Sequence, residues 1–144
     1  MIEFSTFTKR LLRHHLNEII NEVKGFEFTA WQKENFLREM PDKWKFSIAA
    51  FADSTLAGFS INSRKVNIFY IHLFYIFKDY RNTGLGKSLL DICMNISLEN
   101  NLKIMQLICH KDNTSALEFY NKNKFYIKDT SVKDSNLYLM EKIL

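Results

Sequence analysis

Two glycines one residue apart, Gly84 and Gly86, lie in the stretch Arg81-Asn82-Thr83-Gly84-Leu85-Gly86-Lys87-Ser88, in a chain that has only four glycines. Backbone without side chains lets a ligand come close. Free N–H groups at a helix start, with the positive end of the helix dipole behind them, form a site for phosphate or pyrophosphate. Arg81 adds a fixed positive charge just before the glycines, and Lys87 and Ser88 offer further donors to phosphate. The chemistry expected of this stretch is capture of a polyanionic ligand.

Spacing separates three anion-binding loops. A phosphate loop of the form G-x-x-x-x-G-K-[ST] finds its ending in Gly86-Lys87-Ser88, but its first glycine would fall on Arg81. The later apolar run Ile104 to Cys109 also lacks an acidic residue to hold magnesium. The dinucleotide fingerprint G-x-G-x-x-G requires glycine where Leu89 stands. The third pattern, R-x-x-G-x-G, fits at every specified position. Its setting fits as well: an apolar, aromatic and β-branched run from Ile71 to Phe77 reads as a buried strand, and a helical pattern begins at Gly84.

This strand, loop and helix resemble the acetyl-CoA-binding motif of the GCN5-related N-acetyltransferase (GNAT) family. Asn113-Thr114-Ser115-Ala116-Leu117-Glu118-Phe119-Tyr120 resembles that family's N-x-x-A-x-x-[FL]-Y helix, followed by Asn123-Lys124-Phe125 where members usually show glycine before the phenylalanine. The two motifs occur in order and suitably spaced, and the resemblance covers Phe46 to Leu144. It implies an acetyl-CoA-dependent N-acetyltransferase whose acceptor is a small-molecule or peptide amine. The loop amides from Asn82 through Thr83, Gly84, Leu85 and Gly86 to Lys87 would hold the pyrophosphate. The backbone of Phe74, Ile76 and Phe77 would pair with the pantetheine arm, and Asn113 would cap its helix and meet the cofactor. Tyr120 matches the tyrosine that protonates the leaving thiolate in many members, and His72 lies where some members place a basic catalytic residue. Glu34, Glu118, Tyr70 and Tyr75 stay open as alternative bases. A CoA-binding regulatory module without acceptor chemistry needs the same loop but neither Tyr120 nor His72, and an acetyltransferase acting on ribosomal protein or charged tRNA is a further alternative. Relatives often pair through their C-terminal strands, so a homodimer is also open.

The rest of the chain must position these residues. At 144 residues, 47% hydrophobic and 25% charged, the sequence reads as one domain with a core of its own, and the resemblance implies a single N-acetyltransferase domain over 1–144. No run reaches membrane-helix length and the start Met1-Ile2-Glu3-Phe4 lacks a signal peptide's pattern, so a cytoplasmic protein without a membrane partner is expected. The net charge of +4 suits a polyanionic cofactor and is too diffuse to argue for nucleic acid. Cys93 and Cys109 read as small buried hydrophobes.

Ile2 to Phe7 alternates as a strand, and Thr8 caps a helix whose apolar face is Leu12, Leu16, Ile19, Ile20 and Val23. Phe26-Glu27-Phe28-Thr29-Ala30-Trp31 precedes a short helix to Met40. In the resembled family this region often walls the acceptor pocket, which would place Glu27 or Glu34 against a cationic amine. Strands are expected at Phe46 to Ala52, Leu56 to Ile61 and Val66 to Phe77, with Gly58 at a bulge or close approach. After the loop, the inner helix face is expected to be Leu85, Leu89, Ile92, Cys93 and Ile96. A central strand Ile104 to Cys109 and one or two closing strands between Tyr126 and Ile143, around the turn Lys133-Asp134-Ser135-Asn136, complete the chain. The fold class expected is α+β, a mixed, mostly antiparallel sheet with helices on both faces.

Overall fold

The computed structural model describes residues 1–130 and 135–144. Its seven strands, β1 (Ile2–Thr6), β2 (Ile48–Ala52), β3 (Thr55–Lys65), β4 (Ile68–Ile76), β5 (Ile104–His110), β6 (Tyr126–Asp129) and β7 (Leu137–Ile143), form one sheet in the order β1-β2-β3-β4-β5-β7-β6. Every neighbouring pair is antiparallel except β4 and β5. The helices α1 (Lys9–Val23), α2 (Lys33–Leu37), α3 (Lys43–Phe46), α4 (Leu85–Glu99) and α5 (Thr114–Lys122) cover both faces, as the mixed α+β reading requires.

Each face has its own core. On one, α1 buries Leu12, Leu16, Ile19 and Val23 and α2 buries Phe36, against Phe59, Ile61, Leu73, Tyr75 and Phe77 of the sheet. On the other, Leu90 and Cys93 of α4 and Tyr120 of α5 pack on Phe69, Ile71, Met105 and Leu107. Fully burying one such side chain stabilises by roughly 1.5–3 kcal/mol. Thr8 caps α1 by accepting the Leu11 N–H at 3.2 Å. The buried face of α4 is Leu85, Leu89, Leu90, Cys93 and Ser97; Ile92 and Ile96, expected inside, are only half-buried. The face is rotated toward Ser97, whose hydroxyl donates to the Leu102 carbonyl at 2.6 Å.

Elsewhere the boundaries move for local reasons. Phe46 ends α3 rather than starting β2, and the short helix after Trp31 stops at Leu37. β2 and β3 are joined by Asp53 and Ser54 alone, both at positive φ (48° and 74°), the geometry of a type I′ hairpin. Gly58 sits at the expected close approach: a Cβ there would lie 2.9 Å from Ile76 Cδ1 and 3.0 Å from the Tyr75 carbonyl oxygen. The β2–β3 register also shifts beside it, between Ala50 and Phe51. The expected turn Lys133-Asp134-Ser135-Asn136 lies partly outside the described residues, between two closing strands.

Lys124, standing where the family pattern has glycine, has φ 73°. The left-handed geometry that favours glycine is therefore present, and lysine adopts it under strain. Lys124→Gly is expected to stabilise the fold by about 0.5–1 kcal/mol, after the extra freedom glycine gives the unfolded chain. Thermal denaturation should show a midpoint about 1–4 °C higher; an unchanged or lower midpoint would refute this account.

Candidate active site

β4 and β5 run parallel and pair only from Ile68↔Ile104 to Ile71↔Leu107. Beyond those four pairs β4 continues to Ile76 and β5 to His110, with β5 still paired to β7 as far as His110↔Leu137. The sheet is therefore split along its middle. The cleft there has a volume of about 1410 Å³ and is walled by the unpaired ends of both strands, the α4 loop, α5, and the segment between α1 and α2.

A bulge turns β4 at the mouth of the split. Ile61 faces Leu73 and Asn62 faces Ile71, so His72 is the extra residue of the bulge. Buried polar groups brace the opposite strand. The Asn62 amide donates to the Phe46 carbonyl at 2.9 Å, its Oδ1 accepts the Ser60 hydroxyl at 2.6 Å, and its backbone N–H reaches Ser47 Oγ at 3.0 Å. His72 lines the cleft, with Nε2 2.6 Å from Ser63 Oγ and its ring 4.7 Å from that of Tyr70.

Backbone direction alternates along an antiparallel strand. Phe77 donates its N–H to Ala57 of β3 at 2.9 Å and its carbonyl accepts the Tyr80 N–H at 2.9 Å. Phe77 is thus turned away from the cleft, and the expectation that it joins Phe74 and Ile76 in holding a pantetheine arm is corrected by these bonds. Counting back by twos, Tyr75 and Leu73 also face β3, which leaves Phe74 and Ile76 with their backbone toward the split. The Ile76 carbonyl is taken by Arg81 Nε at 3.0 Å.

After the 3-10 turn Lys78–Tyr80, φ is 60° at Asn82 and 86° at Gly84, with Thr83 between them at negative φ. This alternation makes a concave run of amides. Among the described residues no protein group accepts the N–H of Asn82, Thr83, Gly84, Leu85, Gly86 or Lys87. The first bond of α4 is the Ser88 N–H to the Gly84 carbonyl at 3.2 Å. Those unclaimed donors, at the start of a fifteen-residue helix, fit a pyrophosphate.

The two glycines serve different ends. At Gly84 a Cβ would meet nothing within 4 Å, and the positive φ is what calls for glycine; at Gly86 a Cβ would lie 3.3 Å from the Phe119 ring, so its smallness lets α4 pack on α5. Not every predicted side chain faces the ligand. Thr83 donates its hydroxyl to the Tyr80 carbonyl at 2.6 Å, Leu85 is buried with Ala50 and Ala57, and Ser88 is exposed outside the cleft. Lys87 lines the cleft and pairs with Asp91. The Arg81 guanidinium folds back to donate to the Tyr75 hydroxyl at 3.0 Å and lies 5.2 Å from that ring's centre. It fastens the loop to β4 rather than pointing at the free amides.

Asn113 caps α5 by accepting the Ala116 N–H at 3.3 Å and lines the cleft. Tyr120 is buried, its ring 5.3–6.2 Å from those of Phe119, Phe125 and Phe74, and it too lines the cleft. Burial pushes its hydroxyl well above the ordinary tyrosine range, and the neighbouring Cys109 and Cys93 add to the shift. Tyr120 therefore keeps its proton at any physiological pH. Burial also raises both cysteines to about 11, so at neutral pH they are thiols rather than nucleophilic thiolates.

Of the alternative bases, Tyr70 and Tyr75 are pushed up to about 12, chiefly by burial, and keep their protons at neutral pH. Glu27 and Glu34 are exposed and do not line the cleft, whereas Glu118 does, from α5. The aromatic wall forms as expected, from Phe26, Phe28 and Trp31, without the carboxylates expected of it. Arg38, Lys65 and His110 line the cleft without having been singled out in the sequence; charges at the ends of amphipathic elements read there as solvated.

The sequence profile described as the Acetyltransferase (GNAT) family matches residues 14–125. A curated relative, a spermidine N(1)-acetyltransferase from Thermoplasma acidophilum, is 33% identical over 98 residues, covering 66% of this chain; the match spans only 57% of that relative's length. Among solved structures, a PaiA N-acetyltransferase from Thermoplasma acidophilum in complex with coenzyme A superposes with a TM-score of 0.78 at 22% identity, covering 100% of this chain and 99% of its own. Ard1 from Thermoplasma volcanium gives 0.85 at 20% identity, covering 99% and 97%. The ribosomal-protein-S18-alanine N-acetyltransferase from Escherichia coli gives 0.81 at 14%, covering 99% and 94%.

Proposed function

Because the chain belongs to the GNAT acetyltransferase family, whose cofactor is acetyl-CoA, we propose that it transfers an acetyl group directly to a primary amine within a ternary complex. One observation carries this reading: the split between β4 and β5 joins the unclaimed amides of Asn82–Lys87 at one end to the protonated Tyr120 hydroxyl inside. A module that only bound CoA would have no use for the second.

Acetyl-CoA, when bound, supplies an acetyl group on a thioester and a thiol leaving group. The loop amides would hold its pyrophosphate, and the cleft-facing backbone of Phe74 and Ile76 would align its arm, with Asn113 at the rim. An N–H on this edge of β4 is the donor available to charge developing on the thioester oxygen. Tyr120 holds a proton at Oη for the departing sulfur. His72, at the bulge, takes the proton from the incoming ammonium, directly or through water, imidazole being the side chain suited to proton transfer near neutral pH. The buried cysteine thiols support direct transfer over an acyl-cysteine route. Spermidine and an alanine of ribosomal protein S18, the acceptors in the relatives' names, both offer an amine nitrogen, which supports this acceptor class.

Calorimetric titration with acetyl-CoA tests the cofactor site. The wild type is expected to bind in the micromolar range. Gly84→Val, which forces a β-branched residue to φ 86° and puts its side chain in the mouth of the amide cradle, should lose at least about tenfold in affinity. A melting curve without ligand shows whether the variant is folded. Absence of wild-type binding would overturn the reading at its root.

A further inference from the structure

Glu22 lies in the last turn of α1, where a helix disfavours it. The negative end of the helix dipole is there, and a cation is the side chain that end would favour. That turn of α1 has no basic residue and carries a carboxylate instead. What offsets this lies outside the helix.

Glu22 Oε2 accepts the backbone N–H of Lys78 at 2.9 Å and the Tyr75 hydroxyl at 3.1 Å. A tyrosine hydroxyl has a single proton, and with that proton given to the carboxylate its oxygen is left to accept; Arg81 Nη2 donates to it at 3.0 Å. Arg81 Nε in turn holds the Ile76 carbonyl at 3.0 Å, and its backbone N–H reaches the Lys78 carbonyl at 3.4 Å. One carboxylate therefore ties both ends of the turn Lys78–Tyr80, its first amide directly and the following Arg81 through Tyr75. The unclaimed amides begin at the next residue, Asn82.

The Arg81 guanidinium is further wedged between two rings. Its centre is 5.2 Å from that of Tyr75 and 5.9 Å from that of Phe26, and those rings meet edge to face at 5.6 Å. Held in this way it acts as a strut, and capture of the phosphates is left to backbone N–H groups whose aim depends on how the turn before them is set. Glu22 does not line the cleft, whereas Tyr75 and Arg81 do. It can act only through them and the Lys78 amide.

Resting on the acetyl-CoA site above, we propose that Glu22 is a positioning residue for the pyrophosphate loop: by accepting from Lys78 and Tyr75 it fixes the turn that aims the amides of Asn82–Lys87, without touching the cofactor itself.

Calorimetric titration of acetyl-CoA into Glu22→Ala, Glu22→Gln, Tyr75→Phe and the double variant Glu22→Ala/Tyr75→Phe tests this, at a temperature well below the lowest melting midpoint of the set. There a merely structural residue leaves the Kd of the folded protein unmoved, whatever it does to the midpoint. Glu22→Ala is expected to weaken binding about tenfold. Glu22→Gln keeps an oxygen for both donors and should stay within about threefold of the wild type. Tyr75→Phe cuts only the link to Arg81 and should lose less than Glu22→Ala, and the double variant should lose no more than Glu22→Ala alone, because both changes break one chain. An alanine variant with wild-type affinity, or with higher affinity because the released Arg81 reaches the phosphates, would overturn the assignment and leave the cofactor site standing. So would a glutamine variant as weak as the alanine one, or losses that multiply in the double variant. A wild type that does not bind acetyl-CoA would overturn the site and the assignment together.

Discussion

Tyr120→Phe is expected to lose about 10²–10³-fold in kcat while its affinity for acetyl-CoA and its melting temperature stay close to those of the wild type. The substitution removes one oxygen and nothing else. The ring that packs against Phe74, Phe119 and Phe125 is retained, and among the described residues the hydroxyl has no hydrogen-bond partner that its loss would strand. A structural tyrosine would behave differently, since deleting a paired buried hydroxyl leaves an unsatisfied group and destabilises by about 1–3 kcal/mol. The same burial that keeps Tyr120 protonated also makes it a weak acid. Its contribution is therefore a hydrogen bond that strengthens as charge builds on sulfur, with the proton following once that charge is desolvated. Since the hydroxyl titrates far above neutrality, the wild-type kcat should show no falling limb from this group up to about pH 10. Steady-state kinetics with saturating acetyl-CoA decides the matter: wild-type kcat in the phenylalanine variant would remove Tyr120 from the chemistry and leave the departing thiolate to another donor.

What the sequence made legible and what it concealed divide along a physical line. The Gly84 loop was readable because a left-handed residue followed by exposed amides demands a particular residue type in a particular order, and Asn82 and Gly84 meet that demand locally. The strand before it was readable from composition, and Thr8 and Asn113 from cap chemistry. The split between β4 and β5 was not. It depends on where pairing stops between strands more than thirty residues apart, and neither strand changes character at Ile71 or Leu107. The role of His72 as the bulged residue was hidden for the same reason, because a register shift belongs to two strands at once. Arg81 and Gly86 were found by motif, yet their side-chain settings differ from the motif's suggestion. The guanidinium is drawn to the Tyr75 ring and hydroxyl, and the space at Gly86 is taken by Phe119. Arg38 and Lys65 look in sequence like any solvated cation; only the fold brings them to the lining of the cleft.

Lys43 shows how misleading local character can be, and it carries the largest expected effect on stability. In Lys43-Trp44-Lys45-Phe46 it reads as a surface charge, yet its side chain is fully buried and its Nζ donates to the carbonyls of Phe36 and Arg38, each at 2.6 Å. Those carbonyls close the end of α2, where no helical N–H remains to reach them. Two opposing quantities decide the outcome of Lys43→Met. Losing the donors leaves two carbonyls unpaired, at about 1–3 kcal/mol for each that water cannot reach. Against that, burial lowers the Lys43 pKa from 10.5 to about 8, so the wild type at neutral pH holds a costly charge that methionine removes. The bonds are expected to win, with the variant less stable by about 2–4 kcal/mol. The pH dependence separates the two quantities. Between pH 8 and 10.5 the unfolded chain still binds the lysine proton and the folded protein has released it, so wild-type stability from this group rises with pH across that window and is flat below it. Neutral lysine keeps two N–H groups for the two carbonyls, so the bonds survive deprotonation. Urea unfolding of both proteins from pH 7 to 10.5 should therefore show a gap that widens with pH by at most about 1.4 kcal/mol per unit. A gap that is constant, or a methionine variant as stable as the wild type, would mean that Lys43 is a tolerated burial rather than the tie that fixes the Phe36 and Arg38 carbonyls at the end of α2.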